Sequence, residues 1–559
     1  MDNYTIAEHF SLLSKLMDIH GENSFKSRTY SAAAFNIEKL PVQLQDVDRS
    51  QLFTLKGIGD SVGRKVIELL DTGELSALKE LVETTPAGVI ELLQIKGLGP
   101  KKIHIIWKEM GIESVGELLY ACTENRLTRY KGFGEKTQRN VQEAIEFFQH
   151  HQGHFLYSQV FEVYDQVNGY LQKLFAPHLV AVTGAYRRQD PVIEELAFVV
   201  DQSNEWIKPK FQTAHPPELL EETTDTLLYK LQNGLKLRLH TGKGAFAERL
   251  FRSSGSAEFI EAFTQKFPNA LNGDTSVNND QPLFEKVGLP YIPPAVREKS
   301  RIIEKAANGQ LPQLIQVGDI KSLIHSHSNW SDGSNTIEEM AKECIRRGWE
   351  YMVISDHSKA AAYANGLTED RIRQQHKQIF ELNQQLAPFK IFKSIECDIL
   401  NDGSMDYTDE ILASFDLVIA SVHSNLSMSE EKAMNRLLKA ISNPYVSILG
   451  HMTGRLLLSR NGYPVDHTII IEACIKNQVA IEINAHPRRL DMDWKWIDYA
   501  LEKGALLSIN PDAHALDGFD DVRFGVLAAQ KGGLTKEKNL SSFTLSQFEK
   551  YLEGIRNKK

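Results

Sequence analysis

Seven short apolar runs in the C-terminal part of this 559-residue chain close on a histidine or a carboxylate. They end at His325, His357, Glu396, His423, His451, Glu482 and the triplet Asp512-Ala513-His514. Continuous apolar runs are the mark of buried parallel strands. In β/α barrels the chemistry collects where such strands end. The pairs His325-x-His327 and Asp512-x-His514 are spaced by two, which puts both members on one strand face. Asp332 follows in the turn Trp330-Ser331-Asp332-Gly333. Mixed imidazole and carboxylate shells suit Zn, Mn or Fe. Closely spaced cations of that kind acidify water and neutralise charge on phosphorus. Any one of these histidines alone reads as a satisfied core residue. Their shared register at strand ends reads as the centre of a multinuclear metal hydrolase. Arg455 and Arg488 or Arg489 follow strands on the same rim. Guanidinium matches phosphate bidentately, so they are candidate phosphate clamps, with a surface salt bridge as the alternative. His376 and His467 fall outside the pattern, and His486 lies beside it.

The elements that must position these residues alternate strand and helix from about 320 to the helical tail LSQFEKYLEGIR. Residues 309–320 read as a linker before them. The start of the chain is different. TIAEHFSLLSKLMDIH and SRTYSAAAFNIEKL carry apolar residues at helical spacing. Three similar turns come next: Leu55-Lys56-Gly57-Ile58-Gly59, Ile95-Lys96-Gly97-Leu98-Gly99 and Tyr130-Lys131-Gly132-Phe133-Gly134. Each lies between helical segments. The glycines permit a tight turn and close backbone approach. Amides opening the second helix can then hold a phosphate. One copy reads equally as a plain helical hairpin. Three copies read as helix-hairpin-helix motifs that grip DNA backbone without reading bases.

A length of 559 residues implies several domains. The formal charge of -10 argues against a broad phosphate-binding surface. It leaves room for contact through uncharged amides. No run of eighteen apolar residues exists, so no membrane span is expected. The N-terminus Met1-Asp2-Asn3-Tyr4-Thr5 lacks the basic start and apolar core of a secretory signal. Cys122, Cys344, Cys397 and Cys474 form no CxxC pair, consistent with free thiols in a reducing cytoplasm. In the middle, HLVAVTGAYRR and EELAFVVD read as two strands joined by a glycine turn, LKLRLHTG as a third strand, and AVREKSRIIEKAANGQ as a helix.

This order resembles the bacterial family X DNA polymerases that carry a C-terminal polymerase-and-histidinol-phosphatase (PHP) domain. Gly184-Ala185-Tyr186-Arg187-Arg188 is similar to the family's nucleotide-binding Gly-Ser-x-Arg-Arg turn. Ser254-Gly255-Ser256 is similar to its Thr-Gly-Ser, and Tyr291-Ile292-Pro293-Pro294 with Arg297-Glu298 to its thumb signature. The resemblance implies a multidomain fold. Residues 1–85 would form a helical lyase-like domain and 86–152 a fingers-like domain, both with helix-hairpin-helix motifs. An α+β nucleotidyltransferase-like palm (153–240) and thumb (241–315) would follow, then a distorted (β/α)7 PHP barrel (316–559). It further implies three metals. His325, His327, Glu396 and Asp512 would hold one. Glu396 would bridge to a second with His423 and His451. Asp332, His357 and His514 would hold the third.

The polymerase site departs from the family. Two-metal nucleotidyl transfer needs three carboxylates, and the matching positions read Glu195, Ala197 and Arg238. Glu194 and Asp201 do not restore a pair spaced by two. Little remains to hold Mg there, and Gly184, Arg187 and Arg188 become a nucleotide-binding remnant. Lys65 falls where eukaryotic members place a Schiff-base lysine; a DNA-facing lysine is the plainer reading.

The expected function is a cytoplasmic DNA-repair phosphoesterase. It would act at gapped, nicked or 3'-ended DNA by 3'-5' exonuclease or 3'-end trimming chemistry, with His325, His327, Glu396, Asp512 and Arg455 as the catalytic group. The alternatives are an active gap-filling polymerase, a non-catalytic DNA-end scaffold, and a small-molecule phosphatase. The metal set argues against the scaffold and the three hairpins against the phosphatase.

Overall fold

A computed structural model describes residues 1–38, 40, 42–55, 57–149, 153–211, 216–271 and 277–556. Lys56 of the first hairpin lies outside the described residues. The chain divides into two compact units, Met1–Phe148 and Gln149–Lys559.

The first unit is helical. The helix Asn3–His20 starts where the Asp2 carboxylate accepts from Thr5 N at 2.8 Å and stops at left-handed Gly21, the expected start and stop chemistry. A single apolar core runs from Ile6 to Ile145. Described residues on both sides of position 85 contribute to it. Each hairpin leads into a helix: Asp60–Thr72, Pro100–His104 and Glu135–Gln149. The hydrophobic residue between each glycine pair, Ile58, Leu98 or Phe133, is buried. Burying it pins the turn and leaves the glycine backbone outside.

After the helix Tyr157–Phe175, the second unit builds a five-stranded sheet: β1 (Val180–Thr183), β2 (Glu195–Val200), β3 (Glu218–Glu222), β4 (Thr226–Lys230) and β5 (Lys236–Thr241). Its order is β1-β2-β5-β4-β3, with β2 and β5 parallel and the other neighbours antiparallel. A phenylalanine-rich helical cluster follows, built on Phe251, Phe259, Phe263 and Phe284. The helix expected near residue 300 is only Arg301–Ala307. Ahead of it the chain turns at Pro293-Pro294, and Arg297 is fully buried against Asp280. Arg187 reaches the same Asp280 at 2.8 Å. Burial would raise the Asp280 carboxyl, but Arg297 and Arg187 outweigh it and bring it down to about 2.

Seven parallel strands then follow in sequential order: β6 (Ser322–Ile324), β7 (Tyr351–Ile354), β8 (Lys390–Asp398), β9 (Leu417–Ser421), β10 (Val446–Leu449), β11 (Ala480–Asn484) and β12 (Leu507–Asn510). A bridge between Ser326 and Ala513 joins the first edge to the last, so the sheet closes into a barrel. Residues 309–320 are not a free linker. Ile315 and Ile320 belong to the barrel core, and Ile315 N donates to Leu534 O at 2.9 Å.

One lysine joins the three parts of this unit. Lys531, whose side chain is fully buried, sits on the barrel helix Val522–Lys531. It pairs with Glu298 at 2.6 Å and Asp190 at 2.8 Å, and donates to Arg188 O at 2.7 Å. Removing one member of a buried ionic group leaves the others uncompensated. Lys531→Met should therefore cost about 3 kcal/mol, seen as an earlier urea transition of the second unit. An unchanged midpoint would show that Arg188 alone satisfies both carboxylates.

Candidate functional site

The barrel delivers the nine histidines and carboxylates to one mouth. His325 follows β6 with φ 61° and Asp512 follows β12 with φ 54°. Left-handed backbone is unusual for such residues, and strain of this kind persists where surrounding structure over-determines it. The two strained residues face each other: His325 Nε2 lies 3.4 Å from Asp512 Oδ1. His327 Nε2 lies 3.0 Å from the same oxygen. Glu396 stands at the centre, and β8 runs two residues beyond it. Its Oε1 faces His451 (2.9 Å), His423 (3.1 Å) and His325 (3.2 Å), while its Oε2 faces His357 (3.0 Å).

Three groups of ligand-type atoms gather within 4.8 Å of one another: His325, His327, Glu396 and Asp512; His327, Asp332, His357 and His514; and His357, Glu396 and His423. The first matches the expected partition. The second adds His327, whose ring stacks between those of His357 and His514, each with centroids 4.3 Å away. The third brings in His357, and His451 reaches Glu396 from the other side.

Buried nitrogen or oxygen atoms of His325, His327, Asp332, His357, Glu396 and His451 have no hydrogen-bond partner. Orphaned buried polar atoms are rare and call for an explanation; divalent cations fit this donor set. Burial alone would raise the Glu396 carboxyl, but His423, His325 and His357 outweigh it and hold it well below the usual range. Asp332 is lowered in the same way, chiefly by His357 and His514 against burial.

A second layer fixes the imidazoles. His325 Nδ1 lies 2.6 Å from Glu482 Oε2. His423 Nδ1 lies 3.2 Å from Asp398 Oδ1, and His514 Nδ1 lies 3.0 Å from the Asp512 carbonyl. A proton on each Nδ1 leaves Nε2 as the inward lone pair. Sequence reasoning counted Glu482 as a strand end without giving it a role, and missed Asp398. The available signal was a carboxylate inside an otherwise apolar strand.

Arg455 is a correction. Its guanidinium pairs with Asp493 at 2.5 Å and donates to the carbonyls of Arg489 and Leu490. It braces the loop after β11 instead of facing the mouth, because three acceptors on that loop use its planar fork. Arg489 is nearer the centre: its Nε lies 3.8 Å from Asp512 Oδ2.

In the five-stranded sheet, the three positions matched to polymerase carboxylates come together. Ala197 pairs with Arg238 across β2 and β5, and Arg238 Nε reaches Glu195 at 2.6 Å. Glu195 raises the guanidinium pKa further. Gly184, with φ 66°, lies so close to Ala197 that a Cβ on it would meet Ala197 Cβ at 3.0 Å. Arg187 and Arg188 are committed to Asp280, Asp190 and Glu298, so neither guanidinium stands ready for a nucleotide.

In the first unit, Gly57, Gly97 and Gly132 adopt φ of 87°, 90° and 95°. A Cβ at Gly59, Gly97, Gly99, Gly132 or Gly134 would meet nothing within 4 Å, whereas one at Gly57 would collide with Asn36. Five of the six hairpin glycines thus border open space. Lys65 Nζ lies 5.9 Å from the Tyr30 ring centroid. Leucine at both Gly97 and Gly99 should weaken binding to gapped and nicked duplexes alike by about tenfold, the loss of about 1.4 kcal/mol of backbone contact, measured by fluorescence anisotropy. Undiminished binding would remove the hairpin from the interface.

Comparison with known proteins agrees with this layout. The helix-hairpin-helix domain family matches residues 1–75, the SAM-like helix-hairpin-helix tandem 89–146, and the PHP domain 324–486. The DNA polymerase/3'-5' exonuclease PolX of Bacillus subtilis is 32% identical over 574 residues, covering 96% of this chain and 97% of that protein. A probable phosphatase of Thermoanaerobacter sp. is 26% identical over 247 residues, 42% of this chain and 95% of that one. A probable phosphatase of Citrobacter koseri is 30% identical over 170 residues, 29% of this chain and 62% of that one. Two hairpin regions, a barrel with its histidines in order, and near end-to-end likeness to one two-activity relative place the chain in the bacterial family X DNA polymerases with a PHP domain.

Proposed function

We propose that this enzyme is a cytoplasmic, DNA-binding, metal-dependent phosphoesterase that removes nucleotides or trims phosphate from DNA 3' ends in repair, and that its polymerase activity is lost. The reading rests on one observation above others: a buried ring of histidines and carboxylates with orphaned ligand atoms, in a chain that also carries three hairpin turns. Three divalent metals, Zn, Mn or Fe, suit the mixed donors. The residues would be His325, His327, Glu396 and Asp512 for one, Glu396 with His423 and His451 for the second, and Asp332, His357 and His514 for the third. Such metals supply acidified water and positive charge toward phosphorus when bound.

The chain's own residues do the rest. Glu396 presents its two oxygens to different histidines, the arrangement a bridging carboxylate needs. Glu482 and Asp398 keep protons on the outer nitrogens of His325 and His423. Arg489, beside Asp512, is the cation best placed for a substrate phosphate. The hairpins hold duplex backbone without sequence preference, and Glu195, Ala197 and Arg238 account for the lost synthesis. The Bacillus subtilis relative is named for both activities; only the exonuclease half of that name carries over.

Purified protein with Mn2+ or Zn2+, given a labelled primer-template with and without nucleotides, tests the whole. Shortening from the 3' end in both conditions is expected. Extension with nucleotides and no shortening would overturn the reading.

A further inference from the structure

The loop from Ser328 to Asp332 is held from behind by a carboxylate outside all three ligand groups. Asp356, fully buried and one residue before His357, collects five hydrogen bonds. Its Oδ1 accepts from Ser328 N (2.8 Å), Ser331 N (3.2 Å) and Ser331 Oγ (2.5 Å). Its Oδ2 accepts from Ser328 Oγ (2.7 Å) and Gln375 Nε2 (2.7 Å).

Gln375 sits on the helix Glu369–Gln385. The same helix receives the Trp330 indole N–H on Gln378 at 2.7 Å and sends Arg371 to the Trp330 carbonyl. Positions 371, 375 and 378 are spaced i, i+4, i+7 and line one helical face. That face, through Asp356, straps down the loop that ends in Asp332.

We infer that Asp356 is the positioning residue of the site formed by His327, Asp332, His357 and His514, and that its loss weakens this site more than the two that share His327 and His357 with it. The inference rests on the metal reading above. Asp356 fixes Asp332 through Ser331 and is bonded in sequence to His357, so it controls two of the four members. His325 and Asp512 of the first group take their side-chain support instead from Glu482, Asn484 and Asn510. Asn484 Nδ2 reaches Asp512 Oδ2 at 3.0 Å, and Asn510 Nδ2 reaches Glu482 Oε2 at 2.7 Å. The two support networks share no residue.

The chemistry separates two substitutions. In Asp356→Asn, Oδ1 keeps its three donors. The new amide can donate to Gln375 Oε1, a buried oxygen with no hydrogen-bond partner, once the Gln375 amide rotates. In Asp356→Ala, all five donors lose the carboxylate, and only Ser331 keeps other acceptors, Asp332 Oδ1 and the Ser328 carbonyl. Loss of a group that hydrogen-bonds and orients a metal-ligating residue typically weakens metal affinity 10- to 100-fold.

The test loads the full-length protein with Zn2+, desalts it and counts metal by mass spectrometry. Circular dichroism and DNA binding serve as controls. Wild type should carry three ions, Asp356→Ala two, and Asp356→Asn three. If Asp356→Ala fails to fold, Ser328→Ala/Ser331→Ala removes two hydroxyl donors and should weaken one of three Zn2+ ions at least tenfold by calorimetric titration. Three tight ions in both altered proteins would overturn the inference. So would the joint loss of all ions in a folded variant, which would deny the selectivity. A wild type without Zn2+ would instead overturn the metal reading itself.

Discussion

His325→Ala abolishes Mn2+-dependent shortening of a 3'-labelled strand, by an expected factor of about a thousand, while leaving DNA affinity within twofold. The imidazole occupies the most connected corner of the centre: Glu396 at 3.2 Å, Asp512 at 3.4 Å and Glu482 at 2.6 Å. Glu396 and Asp512 would lose the imidazole between them, and Glu482 would keep only the amides of His451, Asn484 and Asn510. At about 1.4 kcal/mol per tenfold in rate, a loss of about 4 kcal/mol gives the stated factor. DNA affinity is assigned to hairpins in the other compact unit, so it reports intact binding, while circular dichroism reports the folding of the barrel. Asp512→Ala should behave in the same way, because its carboxylate meets both His325 and His327. Wild-type digestion by either protein would place the chemistry elsewhere.

Much of this centre was legible because buried parallel strands are hard to disguise. Strands flanked by helices on one side and barrel interior on the other are apolar throughout, so a histidine at the end of such a run stands out. That contrast located His325, His357, His423 and His451 without any alignment. It failed where polar residues point into the barrel from within a strand. Asn484 on β11 and Asn510 on β12 support the centre from positions that composition gives no reason to prefer, and Glu482, though it closes a run, carries no sign of the imidazole it supports. Asp356 was hidden differently. Its neighbour His357 drew the attention, and the serines it holds look like ordinary turn residues until their hydrogen bonds are known. Arg455 was misjudged because sequence distance from His451 says nothing of direction; a guanidinium has five donors, and the nearest acceptors lay on the next loop.

The middle of the chain shows the opposite balance. The strands β1, β2 and β5 carry apolar residues at alternate or continuous positions and were read correctly. The hairpin of β3 and β4 was missed. β3 is an edge strand of Glu218, Leu219, Leu220, Glu221 and Glu222, all exposed, so neither periodicity nor burial marks it. Charged side chains on such an edge discourage pairing with other chains. The single core of the first unit was also beyond reach, since helical periodicity tells which face is buried and not against which partner.

In a one-nucleotide gap, with the barrel disabled by His325→Ala so that product survives, templated insertion should fall orders of magnitude below that of a competent relative in both Mg2+ and Mn2+. Two cations need carboxylates at three converging positions. Here the adjacent strands present Glu195, a methyl group at Ala197, and the Arg238 guanidinium directly across from it. The 2.6 Å bond from Arg238 to Glu195 ties up the one carboxylate that remains. A second obstacle lies beside it, since Arg187 and Arg188 are bound to Asp280, Asp190 and Glu298. Restoration separates the two causes. Ala197→Asp with Arg238→Asp rebuilds three acidic positions and frees Glu195. A gain in insertion would assign the loss to the carboxylates. No gain would leave the ion pairs of Arg187 and Arg188 as the remaining obstacle. Robust insertion by the parent His325→Ala protein, before any restoration, would show that the catalytic carboxylates lie elsewhere on the sheet.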